Sequence, residues 1–417
     1  MNLRCRHCST PLEHTFVDLG SAPPCQRHLS PAELDRPELT YPLHVRVCQG
    51  CFLVQLPELL SPAEIFGGGD YAYFSAYSDS WVAHAARYAE EATRHLRLGA
   101  RSRVIEIASN DGYLLQHFAA RGIPVLGVEP ASNCAAAARA RGIPSIVAFF
   151  GEALARRILA GKGPPDLVVA NNVLAHVPDL NDFVGGLAVL LSAGGIATLE
   201  FPHLLRLVEG NQFDTIYHEH YSYLGFTTVE AIFRQHDLAI FDVEELPTHG
   251  GSLRIHARRK EQDGPGVAPS VARLRELERA AGMRKLSWYQ GFGERVAEAK
   301  RALLSFLIEA RRAGRRIAGY GAPGKGNTLL NACGIGRDFL DYTVDRNPHK
   351  QGNFLPGSRI PILAPERIFE TRPDYVLMLP WNLEAEIRQQ MAGIGAWGGR
   401  FVVAIPEVRV IEDGGER

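Results

Sequence analysis

Arg103-Val104-Ile105-Glu106-Ile107-Ala108-Ser109-Asn110-Asp111-Gly112 is the stretch that decides the fold. A short apolar run ends in a polar turn, and a helix is predicted from about Tyr113. Residues 125–129 read as a second strand, followed by an alanine-rich helix, and 166–170 and 195–200 as further strands. Strands that alternate with helices predict a parallel sheet covered on both faces. Ligands of such sheets sit beyond the carboxyl ends of the strands. Glu106, Ala108, Asn110 and Gly112 therefore form a candidate ligand turn, in which glycine permits close backbone approach. Glu129, ending the second strand, is placed to accept hydrogen bonds from two ribose hydroxyls. A single glycine is an incomplete nucleotide fingerprint, and an ordinary strand-to-helix turn is the competing reading.

Outward from this stretch, residues 70–98 read as a long helix and 271–313 as a helical region broken near Gly291 and Gly293. A second alternating series begins at Arg316, with strands at 317–320, 340–345, 375–379 and 401–404. The expected plan is α/β: a zinc-binding module over 1–68, a Rossmann-like domain over 69–265, a helical connector over 266–314 and a smaller Rossmann-like domain over 315–417. The net charge of −1 predicts no nucleic-acid partner. No apolar run approaches the ~20 residues that span a bilayer, and no signal peptide opens the chain. A cytoplasmic protein is expected. Oligomeric state is open, with a monomer as the default.

Four of the seven cysteines form two Cys-x-x-Cys pairs, Cys5/Cys8 and Cys48/Cys51. Two such knuckles complete one tetrahedron, predicting a closed structural zinc site. His7 lies between two better ligands.

Asp214-Thr215-Ile216-Tyr217-His218-Glu219-His220-Tyr221 is dense in titratable and hydroxyl groups. His220 suits a general base near neutral pH. Glu219 suits orienting or carrying a proton, and Tyr217 and Tyr221 suit stabilising an oxyanion. A metal pair of His218 and His220, sharing one face of a strand, and a structural polar cluster are the alternatives. Tyr71 and its neighbours add aromatic hydroxyls upstream. Arg254, after His249-Gly250-Gly251-Ser252, meets either a phosphate or a surface carboxylate.

Gly319-Tyr320-Gly321-Ala322-Pro323-Gly324-Lys325-Gly326-Asn327 follows a strand and opens a helix, with Asp345 ending the next strand. This satisfies the NAD fingerprint. Backbone N–H groups and a lysine suit any diphosphate equally well. Asn382 closes a later strand beside the same crevice.

Asn171 and Asn172 end the expected fourth strand, and Phe149 and Phe150 follow the third. With the Glu106–Gly112 turn, this set resembles the class I S-adenosylmethionine-dependent methyltransferases, in which an aromatic in that place covers adenine. The ordered combination of two Cys-x-x-Cys pairs, Tyr71-x-Tyr73-Phe74-Ser75, the Glu106 turn, Tyr217-His218-Glu219-His220, His249-Gly250-Gly251-Ser252 and the Gly319 turn resembles the nucleotide-sugar C-methyltransferase family across essentially the whole chain. That resemblance implies a dTDP-linked 4-keto-deoxysugar substrate, with S-adenosylmethionine as cofactor and structural zinc; C-3 is the expected position, and another carbon such as C-5, another nucleotide sugar, or a nucleotide-binding scaffold without turnover are the alternatives. It implies His220 as base, with Tyr71, Tyr217 and Glu219 in the active site. Cofactor contacts fall to Glu106, Ala108, Asn110, Gly112, Glu129, Phe149, Asn171 and Asn172. Substrate contacts fall to His176, His249, Arg254, Gly321, Lys325, Asn327 and Asn382.

Overall fold

The structure is a computed structural model that describes residues 3–69, 71, 73–191, 194–262 and 264–411. Contacts divide the chain into two compact units. The first comprises Met1–His14, Val47–Leu205 and Glu219–Leu286, and the second comprises Thr15–Arg46, Arg206–His218 and Ser287–Arg417. The residues of the 1–68 segment are thus shared between the units, with all four knuckle cysteines in the first.

The first unit is built on a seven-stranded sheet. In chain order its strands are Val104–Ile107, Val125–Val128, Ser145–Ile146, Leu167–Asn171, Ile196–Pro202, Leu238–Leu246 and Ser252–Arg259. Counted so, they lie in the order 3-2-1-4-5-7-6. The first five are parallel, and the seventh inserts antiparallel between the fifth and sixth. The fold is the class I methyltransferase fold that the motifs implied, with an antiparallel strand added to the parallel sheet expected above. The continuous apolar runs follow from burial on both faces. Ile105, Ile107, Val168 and Ala170 pack with Phe183 and Leu187 on one face. Their alternates Val104, Leu167 and Val169 pack with Tyr88, Leu115 and Phe118 on the other. Strand order reverses between the first and fourth strands, which makes their carboxyl ends the switch point where ligands bind.

The helix expected over 70–98 is shorter, running Asp79–His95. Ser78 Oγ accepts from Trp81 N–H at 3.3 Å and caps it. Ser75 N–H is drawn instead to the Asn110 side-chain oxygen at 2.9 Å, which keeps this stretch out of the helix. Asp70 and Ala72 lie outside the described residues.

The second unit carries a six-stranded sheet ordered Ile362–Leu363, Thr343–Val344, Ile317–Tyr320, Tyr375–Met378, Arg400–Val403 and Arg409–Ile411. The last strand is antiparallel and the others are parallel. The strand expected over 340–345 contracts to Thr343–Val344. Phe16, buried, stacks on Phe292 with centroids 4.7 Å apart, which ties the N-terminal segment of this unit to its long helix Phe292–Arg312. The helical region breaks at Gly282, whose φ of +94° ends Pro269–Ala281 in a left-handed cap. Gly291 precedes the long helix, and Gly293 lies within it.

Candidate active site

The two knuckles repeat one backbone geometry. Ser9 N–H returns to Cys5 C=O at 2.9 Å, and Phe52 N–H returns to Cys48 C=O at 2.8 Å. The residue after each second cysteine is left-handed, Ser9 at φ +59° and Phe52 at φ +58°. The four sulfur atoms lie within 4.8 Å of one another. Cys5 and Cys51 sulfurs are 3.5 Å apart, as are those of Cys8 and Cys48. Tetrahedral zinc with Zn–S of about 2.3 Å sets sulfurs roughly 3.8 Å apart, so the donors fit. Gln55 Nε2 donates to Cys5 Sγ at 3.2 Å and Gly50 N–H to Cys48 Sγ at 3.4 Å, favouring thiolates. His7 is bound elsewhere, with Nδ1 3.1 Å from Asn181 Oδ1. Among the described residues no other group of three or more His, Cys, Asp or Glu brings ligand atoms this close, and that includes His218 and His220.

The turn after the first strand is strained and rich in carboxyls. Ala108 and Asn110 hold φ of +56° and +48°, and Asn172, after the fourth strand, holds φ +54°. Such outliers collect at functional sites. Glu129 is fixed by two backbone donors, Asn110 N–H and Ala131 N–H, both at 2.8 Å. Its pKa is raised, chiefly by burial. Burial and the neighbouring charges of Glu129 and Asp111 hold the Glu106 carboxyl well above the usual range. Glu106 Oε2, Ser109 Oγ, Asp111 Oδ1, Asn171 Oδ1 and Asn172 Oδ1 are buried and have no partner among the described residues. Gly112 holds φ +80°, which side chains disfavour, and a Cβ there would stand a tight 3.1 Å from the Ile143 side chain. An acid-lined turn with orphaned acceptors complements a cation bearing N–H donors. S-adenosylmethionine, with its sulfonium and ammonium, is such a ligand. Phe150 packs edge-on to Phe183 at 5.4 Å, whereas Phe149 is 48 % exposed and free to cover a base.

His220 belongs to this unit, held where Tyr221 N–H donates to Ala175 C=O at 2.8 Å. That bond sets the His220 ring edge-on to His176, with centroids 4.6 Å apart. Burial pushes the His176 pKa down to about 4, so this neighbour is neutral at pH 7 and adds no positive charge beside His220. Tyr71 O–H donates to Glu219 Oε2 at 3.4 Å. Residues 217–220 form a turn, so the strand pairing of His218 with His220 expected above is not realised. Tyr217 and His218 group with the second unit. His218 is buried, with Nε2 3.0 Å from the Tyr41 carbonyl. Tyr221 is fully buried and donates to Leu60 C=O at 2.6 Å, which removes it as an oxyanion donor.

Arg254 requires correction. It is 3 % exposed and lies directly opposite Glu200 and Glu244 on the two flanking strands. Its guanidinium donates to Glu200 at 2.8 Å and Glu244 at 3.2 Å and stacks over Tyr88. It braces the sheet and is committed to carboxylates, not to a phosphate. His249 Nε2 sits 3.1 Å from Asn172 Nδ2.

In the second unit, Gly321 holds φ +89°, and a Cβ there would stand 2.6 Å from Pro380. Asp345, the ribose-binding acid of the NAD reading, instead accepts Ala322 N–H at 2.7 Å and Asn347 N–H at 2.9 Å, holding its own loop. Asn327 is buried, with its Nδ2 donating to Cys25 C=O at 2.6 Å and its Oδ1 without a partner among the described residues. Lys325 Nζ donates to Asn382 Oδ1 at 2.9 Å and lies over Trp381. Asp214, which the sequence did not single out for this loop, accepts the Trp381 indole N–H at 2.7 Å. Burial raises its pKa to about 6 against the opposing pull of Lys325. The sequence offers Asp214 at the head of the titratable cluster and Trp381 beside Asn382, but only packing reveals that the two are bonded to each other.

Family models described as "Putative zinc binding domain", "Methyltransferase domain" and "C-methyltransferase C-terminal domain" match residues 5–66, 81–243 and 247–406. C-methyltransferase NovU from Streptomyces niveus is 36% identical over 410 residues, covering 98% of this chain and 96% of that protein. Among solved structures, magnesium protoporphyrin IX methyltransferase (ChlM) from Synechocystis PCC 6803 with bound SAM is 17% identical, covering 43% of this chain and 82% of that one, with a TM-score of 0.33. The 1,6-didemethyltoxoflavin-N1-methyltransferase of Burkholderia thailandensis is 17% identical, covering 51% and 95%, with a TM-score of 0.37. The chain is an S-adenosylmethionine-dependent methyltransferase with a four-cysteine zinc site, as the resemblance in its motifs implied. It belongs to the C-methyltransferase family.

Proposed function

We propose that this enzyme methylates C-3 of a dTDP-linked 4-keto-deoxysugar, in cytoplasmic deoxysugar or antibiotic biosynthesis. The observation that carries the reading is His220 against a neutral His176, 4.6 Å away, in the methyltransferase unit. Carbon must be made nucleophilic before it can attack a methyl group, and a C-4 carbonyl acidifies the hydrogen on C-3. His220 takes that proton, and electron density moves to the C-4 oxygen as an enolate. A cationic His176 would oppose the charge that His220 gains, so its depressed pKa favours the step. Glu219, with Tyr71 on its Oε2, offers a counter-charge to the imidazolium and keeps the Tyr71 hydroxyl in place. When bound, S-adenosylmethionine supplies the electrophilic methyl. Glu106, Ala108, Asn110, Gly112, Glu129, Phe149, Asn171 and Asn172 line its site. Gly321, Lys325 and Asn382 form the diphosphate-recognition set, and His176 contacts the sugar.

Incubation with methyl-13C-labelled S-adenosylmethionine and a dTDP-4-keto-deoxysugar tests this. A carbon-bound label coupled to C-3 is expected. A label on oxygen, or on C-5, contradicts the assignment.

A further inference from the structure

We propose that His249 is a positioning residue for the cofactor: by accepting the Asn172 side-chain N–H, it turns that amide so that Asn172 Oδ1 is kept for a hydrogen-bond donor of S-adenosylmethionine. The inference rests on the methyltransferase reading and adds a role for His249 in place of the sugar contact that its motif suggested.

The bond joins two left-handed residues, Asn172 at φ +54° and His249 at φ +53°. Gly250 and Gly251 follow at φ +86° and +119°, so three consecutive residues occupy backbone space that side chains disfavour. Strain of this kind persists only where surrounding contacts over-determine it. They do so here. Thr248 Oγ1 donates to Glu200 Oε1 at 2.8 Å. Glu200, fully buried, is itself held by Arg254 at 2.8 Å and His84 at 2.9 Å. Ser252 Oγ donates to Thr248 C=O at 3.0 Å, and His203 N–H donates to Gly251 C=O at 3.0 Å. The Trp81 ring lies 5.2 Å from that of His249. The loop is braced so that one imidazole nitrogen reaches one amide.

That amide sits at the switch point of the sheet. Asn172 N–H donates to Glu200 C=O at 2.7 Å, fixing the backbone at the end of the fourth strand. With Nδ2 3.1 Å from His249 Nε2, Asn172 Oδ1 is left buried with no partner among the described residues. Asn171 Oδ1 beside it is in the same state. A buried acceptor without a donor is costly. The ligand that relieves it must bring a hydrogen-bond donor, and S-adenosylmethionine brings an ammonium, an adenine amine and ribose hydroxyls. An imidazole whose Nε2 accepts carries its proton on Nδ1. Neutral His249 is thus the form that sets the amide.

The test is calorimetric titration of S-adenosylmethionine and S-adenosylhomocysteine into wild type, His249→Leu and His249→Gln, without sugar. All three residues share the backbone strain, but only His and Gln offer an acceptor. His249→Leu is expected to weaken both ligands about tenfold, as for one lost hydrogen bond to a charged partner. His249→Gln is expected to restore affinity to within about threefold. Thermal melts identify a variant that fails to fold, in which case Thr248→Val, which releases the loop from Glu200, takes its place with the same expected loss. Equal affinities in all folded variants, or a loss that Gln does not restore, overturn the proposal. Failure of wild type to bind either ligand overturns the methyltransferase reading itself.

Discussion

The two strand-to-helix turns share a design and differ in sign. Each ends the first strand of its sheet and each is held by the acid that ends the next strand, Glu129 through Asn110 N–H and Asp345 through Ala322 N–H. The first then gathers Glu106, Asp111 and Glu129, with burial and mutual repulsion holding Glu106 toward its protonated form. The second places Lys325 over Trp381 and beside Asn382. Glycine count would rank the second as the dinucleotide site. On the proposed reading, the three carboxyls and orphaned acceptors suit the first to a cationic cofactor, and Lys325, set against the buried Asp214, suits the second to an anionic group. Glycine admits a ligand's backbone approach; the side chains left unspent decide which ligand.

Reversing the sign at the first turn is expected to have the largest effect. Glu129→Lys should weaken S-adenosylmethionine about a thousandfold by calorimetry, since it inserts a cation and removes the acceptor of two backbone N–H groups. Retained dTDP binding by the same protein would show that the turns act separately; a parallel loss of both ligands would break the comparison.

Next is Asp214, whose folded pKa of about 6 lies above the ordinary carboxyl value near 3.8. The proton is bound more tightly in the folded state, so the stability it contributes is full below about pH 4 and is lost as pH rises through about 6. The difference between the two values corresponds to about 3 kcal/mol at most. Denaturant titrations at pH 4 and pH 7 should show Asp214→Asn gaining about 2–3 kcal/mol relative to wild type between those values. A pH-independent difference would contradict the buried carboxyl account. The smallest effect is expected from Lys325→Met, which should weaken dTDP about tenfold and leave S-adenosylmethionine unchanged.

Much of the fold is legible in the sequence because burial on both faces writes Val104–Ile107 and Leu167–Asn171 as unbroken apolar runs. The zinc site is legible because four thiolates at knuckle spacing have few other uses. Arg254 is only half legible: after two glycines it reads as meeting a phosphate or a surface carboxylate, until antiparallel register sets it, buried, opposite Glu200 and Glu244. The start of the Asp79–His95 helix is equally hidden, because Asn110, distant in sequence, claims the Ser75 N–H. His220 stands out by composition and His176 as an expected substrate contact, but that the two rings pack together emerges only when the loop after the fourth strand folds back.

The central claim is that His220 removes a proton from the sugar carbon. Hydrogen exchange from solvent D2O into C-3 of a dTDP-4-keto-deoxysugar, followed by NMR in the presence of S-adenosylhomocysteine, measures that step without methyl transfer. Wild type is expected to exchange C-3, and His220→Ala to exchange about 10²–10⁴ times more slowly while binding S-adenosylhomocysteine normally. Undiminished exchange in a folded His220→Ala enzyme would contradict the account.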